Sequence, residues 1–457
     1  MASLNELNAL RDYYNTGITK EYSFRLEQLK KLKTAMVQYE EALYAALYHD
    51  LKKNKEECWA TENGFVMAEL NNAIKKLSRW MRKKRVGTNL FNFPSQSFIL
   101  PEPLGVVFII SPWNYPVNLL LTPLVGAMAA GNCVVLKSSE FAPASSAIMK
   151  KMIEQTFDKE YILFVEGDGA TVVPAMLNNF SFDHIFYTGS TQVGKIIYEQ
   201  AAKKLVPVTL ELGGKSPCVV EEDASIKVAA RRIAMTKFSN AGQMCVAPDY
   251  ILVHQSVKET LENELKKTLQ DFFGSDAKQS KDFGKIINEK QFDRLIGYLN
   301  DGKILYGGNT DKNELYIEPT LMDGIKMDAP IMTEEIFGPI LPIISFSHKD
   351  EAMAIIEKNK NPLAFYLFTG SSTNENFWLK NVAFGGGCIN NASVHLTNHH
   401  LPFGGRGFSG TGQYHGRYSF NTFSHYKGVL KSPTYIDPSI KYPPNSGKLK
   451  LLKWIIK

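Results

Sequence analysis

The segment NAGQMCVAPDY contains Cys245, one of five cysteines that lie far apart in the 457-residue chain. A cysteine thiolate is a nucleophile that can form a covalent bond with an electrophilic carbon atom. Ala241 and Gly242 leave space around the backbone, so the thiol could be open to a small molecule. An isolated cysteine is more often a buried packing residue, and Cys245 alone therefore does not predict a catalytic site.

Two polar residues next to predicted strands could assist such a nucleophile. Glu211 ends the apolar run PVTLE, and burial there would raise the pKa of its carboxyl towards neutrality, as suits a general base. The alternative is a surface carboxylate beside a turn. Asn114, in ISPWNYPVN, precedes a helix that we expect to begin at Pro116. It could cap that helix, or it could donate a hydrogen bond to an oxyanion at a gain of roughly 3–4 kcal/mol.

Two further strand ends could bind a nucleotide. The segment FYTGSTQVGK predicts a strand, a tight turn at Gly189 and a helix that begins at Ser190 or Thr191, where a pyrophosphate could bind. It is neither a G-x-G-x-x-G fingerprint nor a P-loop, so by itself it indicates only a strand-to-helix turn. In VVLKSSE, Lys137 and Glu140 offer a donor and an acceptor for ribose hydroxyls, although in isolation they indicate an exposed pair at a helix start.

The spacing of apolar residues predicts the elements that position these side chains. Residues 22–81 contain no proline and have apolar residues at helical spacing, which predicts long helices that cover a sheet. The runs GVVFIISP, CVVLK, YILFVEG, FDHIFYTG and PVTLELGG then alternate with helical segments, as do SPCVV, YILVH and LPIISF further on. Strands that alternate with helices in this way predict parallel βαβ units in an α/β fold.

The length of the chain predicts two large domains, because single cores stop growing beyond roughly 250–300 residues. The segment SFILPEP and the glycine-rich region after Asn390 fit neither repeat, so we expect them to form a bridging or oligomerisation extension. The predicted parts are a cofactor-binding domain (1–85 and 101–210), a catalytic domain (211–390), the extension (86–100 and 391–430) and a C-terminal tail (431–457).

Composition excludes several other classes of protein. The net charge of +6 is small, and no basic run in the body suits nucleic acid. The cysteines are odd in number and form no C-x-x-C pair, which argues against disulfides and a metal site and favours a reducing compartment. The N-terminus lacks a secretory signal, so we expect a cytoplasmic protein. The apolar stretch 117–130 contains Pro123 and is too short to cross a bilayer, so it predicts a buried helix.

Six segments, PWN, LKSSE, TGSTQVG, ELGGKSP, GQMC and EEIFGP, occur in this order. Together they resemble the NAD(P)-dependent aldehyde dehydrogenase superfamily along almost the whole chain. The segment LPFGGRGFSGTGQYHGRYSFNTFSH resembles the C-terminal signature of the class 3 branch. This resemblance implies a Rossmann-like cofactor domain, an α/β catalytic domain, a small oligomerisation extension and a homodimer.

The resemblance also implies roles for the matched residues. Cys245 would be the nucleophile, Glu211 the base, and Asn114 an oxyanion donor beside the Cys245 backbone N–H. Glu335 would bind the nicotinamide ribose, and Phe337 would pack near the nicotinamide. The other implied cofactor residues are Lys137 and Glu140 at the adenine ribose and Gly189, Ser190, Thr191, Val193 and Gly194 around the pyrophosphate.

The implied reaction is the oxidation of medium- or long-chain aliphatic or aromatic aldehydes to carboxylic acids with NAD, NADP being possible. Tyr115, Leu119 and Met244 would form an apolar entrance. One alternative is a CoA-acylating or acyl-phosphate reductase of the same fold, which Glu211 argues against because such enzymes generally lack this base. The others are a cysteine hydrolase that pairs Cys245 with a histidine such as His254, and a non-catalytic cofactor-binding protein.

The C-terminal segment KLKLLKWIIK has an amphipathic basic pattern. The pattern favours peripheral contact with an anionic membrane and docking on the chain's own dimer about equally. The residues on its basic side are Lys450, Lys453 and Lys457, and those on its apolar side are Leu449, Leu452 and Ile456.

Overall fold

The structure is a computed structural model that describes residues 2–437 and 439–455. Its helices are α1 (Leu4–Asn15), α2 (Tyr22–Gln38), α3 (Glu40–Leu51), α4 (Lys55–Cys58), α5 (Gly64–Trp80), α6 (Pro116–Ala130), α7 (Pro143–Thr156), α8 (Gly169–Asn179), α9 (Thr191–Ala202), α10 (Ile226–Phe238), α11 (Lys258–Phe273), α12 (Glu289–Tyr298), α13 (Pro330–Thr333), α14 (Lys349–Lys358), α15 (Ser372–Asn381), α16 (Arg417–Thr422) and α17 (Leu449–Ile455).

The strands are β1 (Lys84–Val86), β2 (Gln96–Pro103), β3 (Val106–Ile110), β4 (Cys133–Lys137), β5 (Ile162–Val165), β6 (His184–Thr188), β7 (Val208–Glu211), β8 (Pro217–Val220), β9 (Tyr250–His254), β10 (Lys303–Tyr306), β11 (Thr310–Asp311), β12 (Tyr316–Ile317), β13 (Thr320–Asp323), β14 (Ile340–Phe346), β15 (Ala364–Phe368), β16 (Gly386–Ile389), β17 (Gly410–Thr411) and β18 (Ser424–Lys431).

Six strands form a sheet in the order β17-β7-β6-β3-β4-β5. The strands from β7 to β5 run parallel, and β17 lies antiparallel to β7 with Gly410 opposite Glu211. Every position of β3, β4 and β6 is buried, which explains why their sequences are continuous apolar runs. The five strands predicted for this part of the chain are confirmed, and so is the parallel α/β class.

The strand order reverses beside β3, which has β4 on one side and β6 on the other. At such a reversal the loops after the strands diverge and leave a crevice at the carboxyl edge of the sheet. β3 leads to Asn114, β6 leads to Gly189, and β7 ends at Glu211. Three of the predicted site segments therefore lie at one edge of this sheet.

The second large sheet has the order β10-β13-β14-β9-β8-β15-β16, and all of its pairs are parallel except β10 with β13. The predicted strands SPCVV, YILVH and LPIISF correspond to β8, β9 and β14. The sequence pattern did not single out β10, β13, β15 or β16. The division into domains drawn from the sequence stays a prediction.

A third sheet has the order β1-β2-β18. β2 and β18 pair antiparallel along eight residues, from Gln96 opposite Lys431 to Pro103 opposite Ser424. The separate strand expected at SFILPEP is therefore present, and β18 forms an edge of the sheet.

The N-terminal helices pack over the six-stranded sheet through α6 and α7. Fourteen of the fifteen residues of α6 are buried, although Pro123 lies inside it, so the predicted buried helix is confirmed. A π-helical turn, Trp59–Asn63, joins α4 to α5. Among residues 2–437 and 439–455, no helix is both long and apolar enough to cross a membrane.

Candidate active site

Cys245 lies in the loop between α10 and β9. Asn240, Ala241 and Gly242 have consecutive left-handed backbone conformations, with φ angles of 51°, 51° and 76°. A side chain at Gly242 would collide with the carbonyl oxygen of Gly338. This turn brings the following residues back towards the interior, where Cys245 is half-buried.

A cavity of about 760 Å³ is lined by Cys245 and Glu211 and by exposed residues of α10. The three predicted substrate residues, Tyr115, Leu119 and Met244, all line it. The rest of its wall is mostly apolar because aromatic and aliphatic side chains from distant segments meet there, and sequence reasoning did not identify them. The largest of these are Phe65, Phe272, Phe403 and Tyr414.

Glu211 lies at the carboxyl end of β7 with a buried carboxyl group. Within the described part of the chain, neither carboxylate oxygen has a hydrogen-bonding partner. Removal from water raises the pKa of this carboxyl well above its ordinary value, because the charged form is poorly stabilised. The alternative interpretation of Glu211 as a surface carboxylate is therefore wrong.

The Cys245 thiol has an unfavourable environment for ionisation. Burial, and to a lesser extent the charges of Glu335 and Glu211, together raise its pKa to about 12. The backbone N–H groups of Cys245 and Val246 act in the opposite direction. The thiol consequently lies beside two carboxyl groups, either of which could exchange a proton with it.

Asn114 is buried next to the loop that carries Cys245. Its Nδ2 donates to the backbone oxygen of Gln243 at 3.0 Å, and its own backbone oxygen accepts from Asn240 Nδ2 at 2.8 Å. Because a flipped amide would oppose two oxygens, this contact defines the amide orientation. The helix-cap alternative is wrong, since Glu62 accepts from the first N–H groups of α6 at Val117 and Asn118.

Lys137, the last residue of β4, forms an ion pair with Glu140. Lys137 Nζ lies 2.6 Å from the Ser138 oxygen and 3.1 Å from Glu140 Oε2, and Glu140 Oε1 accepts from Gly169 N–H at 2.9 Å. Partial burial alone would raise the pKa of Glu140, but the Gly169 N–H, its own N–H and the Lys137 ammonium outweigh burial and lower that pKa. Glu140 is therefore an anionic acceptor at the crevice.

The segment TGSTQVG forms the strand, turn and helix that its sequence predicted. Ser190 caps α9, and its Oγ accepts from Val193 N–H at 3.4 Å. A side chain at Gly189 would overlap the Tyr187 hydroxyl, and one at Gly194 would lie 2.7 Å from a methyl group of Leu212. Thr191, at the first position of α9, is half-buried and its hydroxyl donates to the backbone oxygen of Phe408 at 3.4 Å, whereas Val193 is exposed.

Glu335 and Phe337 approach the same edge from the loop after α13. The Glu335 carboxylate lies so close to Gly213 that any side chain there would overlap it. Burial and the charge of Asp249 together raise the pKa of Glu335 to about 8. Phe337 has a φ of 51° and packs edge-on against Trp113, with ring centroids 5.4 Å apart.

Sequence reasoning missed three charged residues next to this site. Lys53 and Glu62 form a fully buried ion pair of 2.7 Å, and the Lys53 ammonium also donates to the backbone oxygen of Asn114 at 3.0 Å. The N-terminal helices therefore do more than cover the sheet. Lys237 is also buried, has no hydrogen-bonding partner among the described residues, and has a pKa lowered to about 8 by burial.

The family model described as "Aldehyde dehydrogenase family" matches residues 19–429 of the chain. The chain belongs to the aldehyde dehydrogenase family. It is therefore an oxidoreductase that uses NAD or NADP, and the hydrolase alternative is wrong. His254, the suggested histidine partner, instead bonds through Nδ1 to Ser256 Oγ at 2.7 Å.

Curated relatives agree with a class 3 aldehyde dehydrogenase. The chain is 48% identical to "4,4'-diaponeurosporen-aldehyde dehydrogenase" of Staphylococcus aureus over 97% of both chains. It is 43% identical to "Aldehyde dehydrogenase family 3 member H1" of Arabidopsis thaliana, over 99% of this chain and 94% of that one. It is 42% identical to "Aldehyde dehydrogenase, dimeric NADP-preferring" of Rattus norvegicus, over 98% of this chain and 99% of that one.

A solved structure, "Substrate bound state of Staphylococcus Aureus AldH", superposes on this aldehyde dehydrogenase with a TM-score of 0.98. It has 47% identity to the chain, and each chain is covered completely. The aldehyde dehydrogenase-like fold implied by the ordered motifs is therefore confirmed.

The crevice of this aldehyde dehydrogenase fits a nicotinamide dinucleotide. The N-terminus of α9 follows β6, which lies next to β3 at the reversal point of the sheet, and Gly189 leaves the turn free of a side chain. The buried Thr188 Oγ1, at the end of β6, has no partner among the residues described, and Thr188 lines the cavity that holds Cys245. Lys137 and Glu140 offer hydrogen-bonding groups to a ribose.

Proposed function

We propose that this enzyme oxidises medium- to long-chain aliphatic or aromatic aldehydes through a thioester on Cys245. Glu211 is the base, and Asn114 and the Cys245 backbone N–H are the oxyanion donors. The observation that carries the proposal is the shared cavity, in which Cys245 lies near a buried carboxyl group that has no protein partner in the described structure.

The Cys245 sulfur adds to the aldehyde carbon after its proton passes to a carboxylate, and the carbonyl oxygen becomes an alkoxide. Asn114 and the Cys245 N–H stabilise that charge. As the alkoxide becomes a carbonyl again, the substrate carbon loses a hydride, for which a bound nicotinamide dinucleotide would supply the acceptor, and a thioester on Cys245 remains. Glu211 then takes a proton from water, whose oxygen adds to the thioester carbon. The carbon–sulfur bond breaks, the carboxylic acid departs, and Cys245 regains its thiolate.

The apolar wall of the cavity supports a chain-length preference, which a series of straight-chain aldehydes tests. Each methylene that enters the cavity should raise kcat/KM about fourfold, corresponding to about 0.8 kcal/mol, until the cavity is full. The curated Staphylococcus aureus relative is named for a diaponeurosporen aldehyde, which agrees with a long apolar substrate. A kcat/KM that falls with every added methylene would contradict the proposal.

Glu140 supports preferential use of NAD, with measurable use of NADP. Its carboxylate can accept bonds from ribose hydroxyls and would repel a 2′-phosphate that Lys137 attracts. The same aldehyde assayed with both cofactors should give a higher kcat/KM for NAD. Glu140→Gln should shift the ratio towards NADP roughly fivefold, the factor for about 1 kcal/mol. The rat relative is named NADP-preferring, and a parental preference for NADP would show that Glu140 does not decide the choice.

The edge position of β18 supports a homodimer. This strand has no partner on the side away from β2 in the described structure, and Val429 and Leu430 on it are exposed. Light scattering should give the mass of two chains. A tetramer or a monomer would contradict this expectation, which draws on the class 3 resemblance and on the relative named dimeric.

The tail helix α17 supports peripheral contact with a membrane. Leu449 is 61% exposed and Trp454 is 69% exposed, so these two apolar side chains are uncovered in a single chain. Ile456 and Lys457, part of the predicted amphipathic pattern, lie outside the described residues. The enzyme should sediment with vesicles of anionic lipid, and deletion from Gly447 onward should abolish this. If the shortened enzyme sediments with the vesicles to the same extent, docking of the tail on the dimer is favoured. The cytoplasmic location stays a prediction.

A further inference from the structure

The segment between α3 and α4 holds a fully buried ammonium group. Lys53 is 1% exposed. Its Nζ donates to Glu62 Oε1 at 2.7 Å and to the backbone oxygen of Asn114 at 3.0 Å, and it lies 3.8 Å from the centre of the Tyr115 ring. All three contacts of this cation are made with Glu62 or with the two residues that lead into α6.

Glu62 connects the same cation to the start of α6. Its Oε2 accepts from the N–H groups of Val117 and Asn118, at 3.1 and 2.9 Å. These are among the helix N–H groups that have no partner inside the helix, and the helix dipole favours an anion there. Glu62 itself lies in the π-helical turn before α5, so this turn is joined to the segment that carries Asn114.

The contacts of Asn114 divide between the ion pair and the nucleophile loop. Lys53 holds the backbone oxygen from one side, and Asn240 Nδ2 holds it from the other at 2.8 Å. The side-chain amide is bonded to Gln243, two residues before Cys245. The peptide of Asn114 is therefore oriented by Lys53, while its amide is directed towards the loop of the nucleophile.

We propose that Lys53 and Glu62 are positioning residues for the oxyanion donor Asn114, so that this buried pair is required for catalysis and does more than stabilise the fold. The inference rests on the proposed function, because it assumes that Asn114 stabilises an alkoxide. A displacement of about 1 Å in such a group can lower a rate roughly 100-fold, so loss of the pair should be visible in kcat.

The test uses a neutral pair in place of the charged one. Lys53→Met alone leaves Glu62 as an uncompensated buried charge, and Tm should fall by roughly 5–10 °C. Lys53→Met/Glu62→Gln removes both charges and keeps an acceptor for the N–H groups of α6, so Tm should return close to the parental value. If the pair positions Asn114, kcat of the double variant stays roughly 10–100-fold below the parent, while the Kd for NAD is unchanged.

A double-mutant cycle separates positioning from any other effect of the pair. On an Asn114→Ala background, Lys53→Met/Glu62→Gln should lower kcat no further, because the amide that the pair positions is already absent. If the two losses multiply, the pair acts by another route and the inference is overturned.

Arg25 supplies a matched control at the opposite end of α6. It is also a buried cation, and it donates to the backbone oxygen of Ala129 at 3.2 Å. Arg25→Met should lower Tm and leave kcat at the parental value. If Lys53→Met/Glu62→Gln keeps the parental kcat while Asn114→Ala has a lowered kcat, the inference about the ion pair is overturned and the proposed oxyanion donor stands. Parental kcat in Asn114→Ala would overturn the proposed oxyanion donor, and this inference with it.

Discussion

The Glu211→Gln variant should form up to one equivalent of reduced cofactor per active site in a burst. It should then turn over roughly 10²–10⁴-fold more slowly than the parent enzyme. Glutamine keeps the shape of the side chain and removes the base. The base acts on water only after the hydride has left the substrate, so acylation survives and the thioester accumulates. Stopped-flow absorbance of the reduced cofactor measures both the burst and the slow phase.

Glu335→Gln is the comparison variant, because Glu335 is the other carboxyl group that raises the pKa of Cys245. The Glu335→Gln variant should show a slower burst, because Glu335 lies at the cofactor crevice. It should not accumulate a thioester. If Glu211→Gln instead turns over at the parental rate with no thioester, the base is misassigned and Glu335 is the next candidate. If the parent enzyme forms a thioester that is released by added CoA and not by water, the CoA-acylating alternative is favoured.

Cys245→Ala should abolish cofactor reduction altogether, because no other thiol in the described structure lines the cavity. With Glu211→Gln and aldehyde, mass spectrometry should find the acyl adduct on the peptide that contains Cys245. Cys218 is fully buried in β8, and Cys388 lies in β16 beside His395, at 3.5 Å.

Cys388→Ala is the matched control for the nucleophile, and it should keep the parental burst and turnover. An adduct on the peptide of Cys388 or Cys218, or a burst in Cys245→Ala, would remove Cys245 from the mechanism. Complete inactivity of the parent enzyme with every aldehyde tested would favour the non-catalytic alternative.

The parts of the fold that could be predicted are those with a simple apolar pattern. β3, β4 and β6 are buried on both faces and therefore appear in the sequence as unbroken apolar runs. β16 could not be recognised in the same way, because its sequence begins with two glycines and its four residues are only half-buried. Its place in the sheet depends on pairing with β15, which is a tertiary contact.

The candidate site shows the same division between local and tertiary information. Motif order indicated Cys245, Glu211 and Asn114, and the structure brings the segments of all three to one region. Lys53 and Glu62 were missed because a lysine and a glutamate in a polar helical stretch usually face solvent. Only the folded chain shows that they are buried against each other.

The short strand β17 has a consequence for the order in which this enzyme becomes active during synthesis. Gly410 pairs with Glu211 and has a φ of 144°, and a side chain there would collide with the backbone of Leu210. The strand that carries the proposed base is thus completed by a segment about two hundred positions further along the chain. A growing polypeptide contains Cys245, the proposed nucleophile, well before this partner strand has been synthesised. The proposed base therefore gains its complete sheet pairing only after residues 410–411 have been made.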